Sequence, residues 1–490
     1  MEKKVVKTDR KYKSKIKYVD LVGDVIVPDV KPDIVRIASV SSNVYVQKEE
    51  KASNRLRLDG KVDSYISYIS DNEETRSIES SFSFVEQIEC EGLKENSKTK
   101  IEVIIDSSDV KLLNERKVQV RIMLKVIVIF FEEYDLELPD FMNNDNKEFS
   151  NLEMLESKIK LKNIFKSAKG KSNIKEMVEL DDKAEISEII KLSKEIVNIE
   201  NKISINKILS KADIKLNIMY LTENGNLKTK EVSVPAMTFI DIEGVKEDLL
   251  VDVNYKIKNL SLRLDQEKRN VVEIISEIEV ECECYKEEEI MLIEDMYSLD
   301  KDVTFLKKEI NALECCDKSL DTISVFERIK LDGLANILDI DARVKDVNEN
   351  GEGKLELEIF YEVDNKQVLE VKKELLEFRI NTDNKTLDIE EVSFNVLNKK
   401  FTQNEEYVDC DITIEIVYNK FKERVVNILD QIEVKDKEDH NSIMCMYFIK
   451  PEDTLWSIAK QFNIKKDLLI RINELEDEKL IPGEKLYIIR

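Results

Sequence analysis

The chain has 490 residues, enough for about three domains of ordinary size, and 42% of them are hydrophobic, so its 37% of charged residues does not signal disorder. Lys plus Arg against Asp plus Glu, 77 − 102, leaves a net charge of −25, which argues against general nucleic-acid binding because that needs clustered positive charge. The longest apolar run, Val126 to Phe131, falls far short of the ~20 residues of a membrane helix, and the basic start leads into no signal-peptide core, so residence in the cytoplasm without membrane insertion is expected.

From the N-terminus, Lys3, Lys4, Lys7, Arg10, Lys11, Lys13, Lys15 and Lys17 form a basic arm without aromatic interleaving, read as a solvated tail or a docking arm. Farther on, Val118, Val120, Ile122, Leu124, Val126, Val128 and Phe130 alternate with Lys117, Gln119, Arg121, Met123 and Lys125, the period-two mark of a long strand with one buried face. This pattern returns. Ile34, Tyr68, Asn72 and Gly92 are matched by Ile186, Tyr220, Asn224 and Gly244, each 152 residues on (34 to 186, 68 to 220, 72 to 224, 92 to 244). Val120, Ile122, Val126 and Val128 fall likewise on Val272, Ile274, Ile278 and Val280. A third, looser copy places Phe360-Tyr361-Glu362 before Asp364-Asn365 and closes on Val408, Cys410, Ile412, Ile414 and Ile416.

Several such strands per copy, joined by polar turns at Asp71-Asn72, Glu223-Asn224-Gly225 and Asp364-Asn365, suggest tandem two-sheet sandwiches. Asn151 to Lys175 and Asp300 to Lys318 read as connectors between copies. Edge strands rich in Lys and Glu should resist free self-pairing. The expected division is 1–150 for the first repeat with its basic arm, 151–308 for a connector and the second repeat, 309–437 for a divergent third repeat, 438–445 for an acidic linker crossed by few contacts, and 446–490 for a small terminal module.

That module reads as complete. Tyr447 and Ile449 share one side of a short strand, and Asp453 or Thr454 caps a helix by accepting its free N–H groups. Leu455, Ile458, Ala459 and Phe462 fall at i, i+3, i+4 and i+7, one apolar stripe that stops at Asn463. Leu468, Leu469 and Ile472 make a second stripe ending at Asn473, and Pro482-Gly483 turns the chain into a last strand with Leu486 and Ile488. The order is strand, helix, helix, strand.

In these residues the module resembles a LysM domain. It keeps Asp453, Thr454, Leu455, Trp456, Ile458, Ala459, Leu469, Asn473, Pro482 and Gly483, with Glu452 where that family usually has glycine. The resemblance implies recognition of N-acetylglucosamine glycans such as peptidoglycan in a groove between two loops, here Pro451 to Leu455 and Asn473 to Pro482. The candidate site is then Asp453, Thr454, Leu455, Trp456, Asn473, Leu475, Ile481, Pro482 and Gly483. Two readings of Leu455, Trp456 and Ile481 stand side by side: core of a small domain, or binding surface. Glu452, Glu474, Glu476, Asp477 and Glu478 make both loops acidic, which leaves room for a protein partner on the same surface.

Val27-Pro28-Asp29-Val30-Lys31-Pro32-Asp33-Ile34 is similar to the P-x-x-K-P-D-I opening of the SPOCS domain, a spore-coat assembly domain of endospore-forming bacteria. Met296-Tyr297-Ser298-Leu299-Asp300 is similar to its Y-S segment. The later copies lack the prolines, Ala184 standing where Pro32 would be. By itself the Pro32-Asp33-Ile34 stretch reads as a strand-opening turn packing Ile34 and Ile37. Three copies ending in a LysM module resemble the SipL-like family of spore-coat morphogenesis proteins, with a mainly β fold of tandem sandwiches and a terminal α+β (βααβ) domain. That resemblance implies a non-catalytic scaffold or adaptor of coat and cortex assembly. It would be made in the mother-cell cytoplasm and recruited to the forespore surface through LysM docking to stage IV sporulation protein A, an ATPase that polymerises there, with other coat proteins as further partners. The alternative is peptidoglycan binding, with the repeats as a spacer.

No enzyme is expected. No G-x-x-x-x-G-K-[ST] cradles a phosphate, no carboxylate pair is marked for glycoside hydrolysis, and the one histidine, His440, lies in the acidic linker away from any nucleophile. Cys90, Cys282, Cys284, Cys315, Cys316, Cys410 and Cys445 lack C-x-x-C spacing and read as buried thiols of a reducing compartment, so neither a metal nor another cofactor is expected.

Overall fold

A computed structural model describes residues 3–95, 97–139, 152–181, 183–315, 320–363, 368–381, 392–418, 421–436, 444–475 and 479–489. The Asp364-Asn365 turn, Cys316, linker residues 438–443 with His440, and Glu476, Asp477 and Glu478 lie outside the described residues.

Six strands make the first copy: β1 (Lys3–Ile26), β2 (Ile34–Ala52), β3 (Arg55–Ser70), β4 (Thr75–Glu89), β5 (Lys98–Asn114) and β6 (Lys117–Pro139). They form two antiparallel sheets, ordered β1-β6-β5 and β2-β3-β4. The alternation read in β6 decides how the sheets face. Val118, Val120, Ile122, Leu124, Val126, Val128 and Phe130 are all buried, in one cluster with Leu56, Leu58, Val62 and Ile66 of β3. The opening turn is structural. Ile34 is buried, Ile37 is half-buried, the Tyr68 hydroxyl donates to the Pro32 carbonyl at 3.1 Å, and Arg116 donates to Asp33 at 2.8 Å.

The second copy repeats this plan with β7 (Leu152–Glu179), β8 (Ile186–Ser204), β9 (Lys207–Thr222), β10 (Leu227–Asp241), β11 (Leu250–Leu264) and β12 (Val271–Ser298). One of its sheets runs β10-β9-β8, and β11-β12-β7 belong to a five-stranded sheet completed by two later strands. β8, β9 and β10 start 152 residues after β2, β3 and β4 (34 to 186, 55 to 207, 75 to 227). Next come β13 (Lys301–Cys315), β14 (Leu320–Lys330), β15 (Leu334–Val347), β16 (Glu352–Val363), β17 (Val368–Arg379), β18 (Val392–Asn404), β19 (Tyr407–Tyr418) and β20 (Phe421–Asp436). Sheets β14-β19-β18 and β15-β16-β17 build a third sandwich on the same plan.

Of the stretches expected as connectors, the described residues 152–175 and 301–315 are strand. β7 pairs with β12 along its length, and β13 pairs with β20. The lysines that made the first look like a tether instead alternate with Ile159, Leu161 and Ile164, which are buried, and several meet acids across the strand, Lys169 with Glu281 at 2.6 Å and Lys175 with Glu273 at 2.9 Å. These strands outrun the sandwiches. Their ends gather in a shared stalk, where Val6, Leu136 and Leu138 of the first copy meet Ile159, Leu161, Ile290 and Leu292 of the second and Ala312, Val426 and Ile428 of β13 and β20.

The three copies also meet at their sandwich ends. Ala38, Ile190 and Leu338, near the starts of β2, β8 and β15, share a cluster with Met219, Leu221, Phe360 and Leu369. Lys191 is buried there, ion-paired with Asp339 and, at 2.7 Å, with Asp341, its amine over the Phe360 ring at 4.2 Å. Asn43 donates to the Leu192 carbonyl at 2.8 Å, and Arg36 pairs with Glu370. The repeats thus close on one another around a common centre.

The terminal module contains β21 (Met444–Phe448), α1 (Leu455–Phe462), α2 (Lys466–Ile472) and β22 (Lys485–Ile489), with β21 antiparallel to β22. β21 opens at Met444, inside the stretch expected as linker, because Met444, Cys445 and Met446 pair with Ile489, Ile488 and Tyr487.

Candidate functional site

Local chemistry fixes most of the module's candidate residues in structural roles. Thr454 caps α1, accepting from the Ser457 N–H at 3.0 Å while the Ser457 hydroxyl closes a reciprocal capping box. Asp453 accepts from the Tyr447 hydroxyl and the Lys450 N–H, both at 2.8 Å, which pins the first loop. Leu455, with Ile458 and Ala459, is core. Asn463 ends the helix in the left-handed region at φ 54°, a conformation asparagine tolerates.

Asn473 staples the second loop to β22. Its amide donates to the Leu469 and Tyr487 carbonyls at 2.9 Å each, and its carbonyl accepts from the Tyr487 N–H at 2.6 Å. Gly483 takes φ +92°, and its N–H reaches the Ile449 carbonyl at 2.8 Å, so Pro482-Gly483 is a turn that needs glycine. Leu475 is half-buried against the module's core, and Ile481 is 59% exposed. Among the candidate residues, Ile481 is the large apolar side chain left open to a partner.

Trp456 is engaged within the chain. Its indole N–H donates to Asp295 Oδ2 at 2.8 Å, and its ring stacks edge-on against Tyr297 with centroids 5.0 Å apart. Lys460, one turn on, pairs with Asp295 Oδ1 at 2.5 Å and lies over the Phe305 ring at 5.2 Å. The Tyr297 hydroxyl donates to the Ile464 carbonyl at 2.7 Å, and Asn463 donates to the Leu299 carbonyl at 3.0 Å. Burial pushes the Asp295 carboxyl up, but the Lys460 and Trp456 hydrogen bonds outweigh it and hold the group below the usual carboxylate range. The Met296-Tyr297-Ser298-Leu299 segment is therefore the seat of the module, which the expectation of few crossing contacts did not include.

A second surface lies on the terminal sheet, outside the loops that the sequence singles out. In β21 and β22 the inner residues Cys445, Tyr447, Leu486 and Ile488 join the core, yet Met444, Met446, Phe448, Tyr487 and Ile489 on the outer face are exposed. Exposed faces of antiparallel sheets are ordinarily polar, and here only Lys485 is. The signal was present in the alternation Met444, Met446, Phe448. Among the described residues no cluster of His, Cys, Asp or Glu is arranged to hold a metal, and no helix is long and apolar enough to cross a membrane.

Comparison with known proteins agrees with this anatomy. The family described as LysM domain matches residues 447–488, and the family described as SipL, SPOCS domain matches residues 33–113 and 185–265. The chain therefore has a SipL-like architecture, SPOCS domains followed by a LysM domain, in a mainly β fold. The SPOCS match supports a sporulation-associated protein and the LysM match a peptidoglycan-binding module, and neither match indicates an enzyme family. The chain is also similar to the uncharacterized protein YkzQ of Bacillus subtilis (strain 168), 37% identical over 43 residues, which are 9% of this chain and 57% of that protein. The chain thus spans little more than half the length of that relative. No solved structure matches.

Proposed function

We propose that the protein is a non-catalytic adaptor of spore-envelope assembly whose LysM module docks to the coat ATPase stage IV sporulation protein A, while the repeats form a rigid body for self-association or contact with other coat proteins. By this reading it is made in the mother-cell cytoplasm and gathers at the forespore surface. One observation carries the preference for a protein partner over glycan. With Trp456 engaged by Asp295 and Tyr297, the large apolar side chains that the module leaves exposed are Leu468, Ile481 and the sheet face of Met444, Met446, Phe448, Tyr487 and Ile489. A contiguous apolar patch suits a protein interface, whose energy concentrates in a few desolvated side chains. The alternative, peptidoglycan binding, is supported by the LysM match itself.

The full chain and its Met446→Glu and Ile481→Glu variants, titrated with the purified ATPase and with insoluble peptidoglycan, separate the two. Loss of ATPase binding by at least about tenfold in folded variants supports docking. Retention of ATPase binding in both, or capture of the parent by peptidoglycan alone, overturns it.

A further inference from the structure

β1 is an outer strand of its sheet, paired only with β6. Its first half runs into the stalk, and its second half borders the first sandwich. On the outward face of that half stand Ile16, Tyr18, Val22 and Ile26, exposed by 55%, 56%, 55% and 69%. Asp20 and Asp24, which share this face, are neutralised inside their own sheet by Arg121 and Lys117, both at 2.6 Å. The inward residues Leu21 and Val25 are themselves only half-buried at the edge of the core.

The second repeat supplies an internal control. There the positions of Ile16, Tyr18, Asp20 and Val22, matched through their partners in β6 and β12, hold Lys171, Asn173, Lys175 and Met177. That face is a ladder of opposite charges, Lys175 with Glu273 at 2.9 Å and Lys169 with Glu281 at 2.6 Å, the usual solvated edge. One fold thus carries both versions, so the sandwich does not require the apolar stripe on β1. In the third repeat β14 keeps Leu320 and Phe326 exposed but is shorter.

The geometry points to a second copy of this chain as the occupant, joined by antiparallel pairing of β1 with β1 across a two-fold axis at Val22. That register is self-complementary. Tyr18 meets Ile26 of the second copy, Val19 meets Val25, Leu21 meets Gly23, and Val22 meets itself, all within β1. Asp20 meets Asp24 of the second copy with each carboxylate already holding its own cation. Two three-stranded sheets become one of six, the open backbone groups of both edges are paired, and the half-buried Leu21 and Val25 are covered. The contact is independent of what the LysM module binds, because it lies on the first sandwich.

Sedimentation equilibrium of the full chain across the micromolar range tests this, with Val22→Lys and Val22→Cys as the probes. A monomer–dimer equilibrium is expected in the parent, weakened at least about tenfold by Val22→Lys, where two like charges face each other. Under mild oxidation Val22→Cys should form a dimer cross-linked through the two introduced thiols, one from each copy. Met177→Lys and Phe326→Lys should leave the equilibrium unchanged, and thermal melting confirms that each variant is folded. A parent monomeric throughout, a folded Val22→Lys protein that dimerises as the parent does, or loss of dimer with Phe326→Lys overturns the assignment.

Discussion

Replacing Asp295 by alanine should release the LysM module from the stalk without unfolding either part. Asp295 accepts one hydrogen bond from the Trp456 indole at 2.8 Å and one from the Lys460 ammonium at 2.5 Å. Hydrogen bonds to a charged group contribute about 1.5–3 kcal/mol each, and partial exposure of Lys460, 38%, lowers its share. A loss of about 2–4 kcal/mol follows, which raises the open fraction roughly 30- to 700-fold. Trp456 is the one tryptophan in the chain, so its emission reports on this contact without a label. The expected result is a red shift and easier acrylamide quenching in Asp295→Ala, with a smaller change in Tyr297→Leu, which removes the stacked ring and the hydrogen bond to Ile464. The same carboxylate sets a pH dependence. Its folded pKa lies below the unfolded one, so its contribution is present above the unfolded value and is lost as pH falls through the folded one. Asp295→Asn should lose that acid-side component. An Asp295→Ala protein whose emission and quenching match the parent's would show that the module is held by other contacts.

Two further outcomes concern the junctions between repeats. Lys191→Met leaves Asp339 buried without its cation, so stability in urea should fall by about 3–5 kcal/mol, and pairing it with Asp339→Leu should recover most of that; unchanged unfolding of the single variant would mean the ion pair contributes nothing at the junction. Lys194 lies with its amine 3.5 Å above the Tyr45 ring, and burial pulls its pKa down to about 7. The folded state therefore binds that proton more weakly than the unfolded state, and stability should rise between about pH 7 and pH 10 by no more than about 1.4 kcal/mol per unit. In Lys194→Met this rise should vanish, and an identical pH profile in both proteins would refute the assignment.

Much of this architecture could be read from period-two alternation and a fixed offset. The alternating valines and isoleucines of β6 and β12 report which face is buried, because a strand has only two faces, and an offset of 152 repeats that report. The module's turns were legible for a similar reason: Thr454, Asn463, Asn473 and Gly483 are residues whose backbone or side-chain chemistry belongs at those points. The stalk was not legible. A strand such as β7, with Lys158 and Lys160 on its solvated face and Ile159, Leu161 and Ile164 buried, shows its apolar half only once the partner strands are known. The seating of Trp456 escaped for the same reason, since Asp295 lies 161 residues away and nothing local marks it among the 102 acidic residues.

The long strands change what a repeat means in this chain. Were each sandwich a bead on a linker, deleting one would leave the others intact. Here each copy contributes apolar side chains to the stalk and polar ones to the junction: Leu136 and Leu138 from the first, Ile290 and Leu292 from the second, Val426 and Ile428 from the strands flanking the third. Removing any copy would expose the stalk faces of the other two and strip partners from groups such as Asp339 or Leu192. The cost of that exposure makes the three copies one cooperative body. The LysM module is seated on the far end of the stalk, over Tyr297 and Leu299. Packed on one another in this way, the repeats hold the β1 edge and the LysM surface at a set separation in this structure. An adaptor that joins two partners at a set spacing needs that packing, whereas a flexible tether to a glycan network does not.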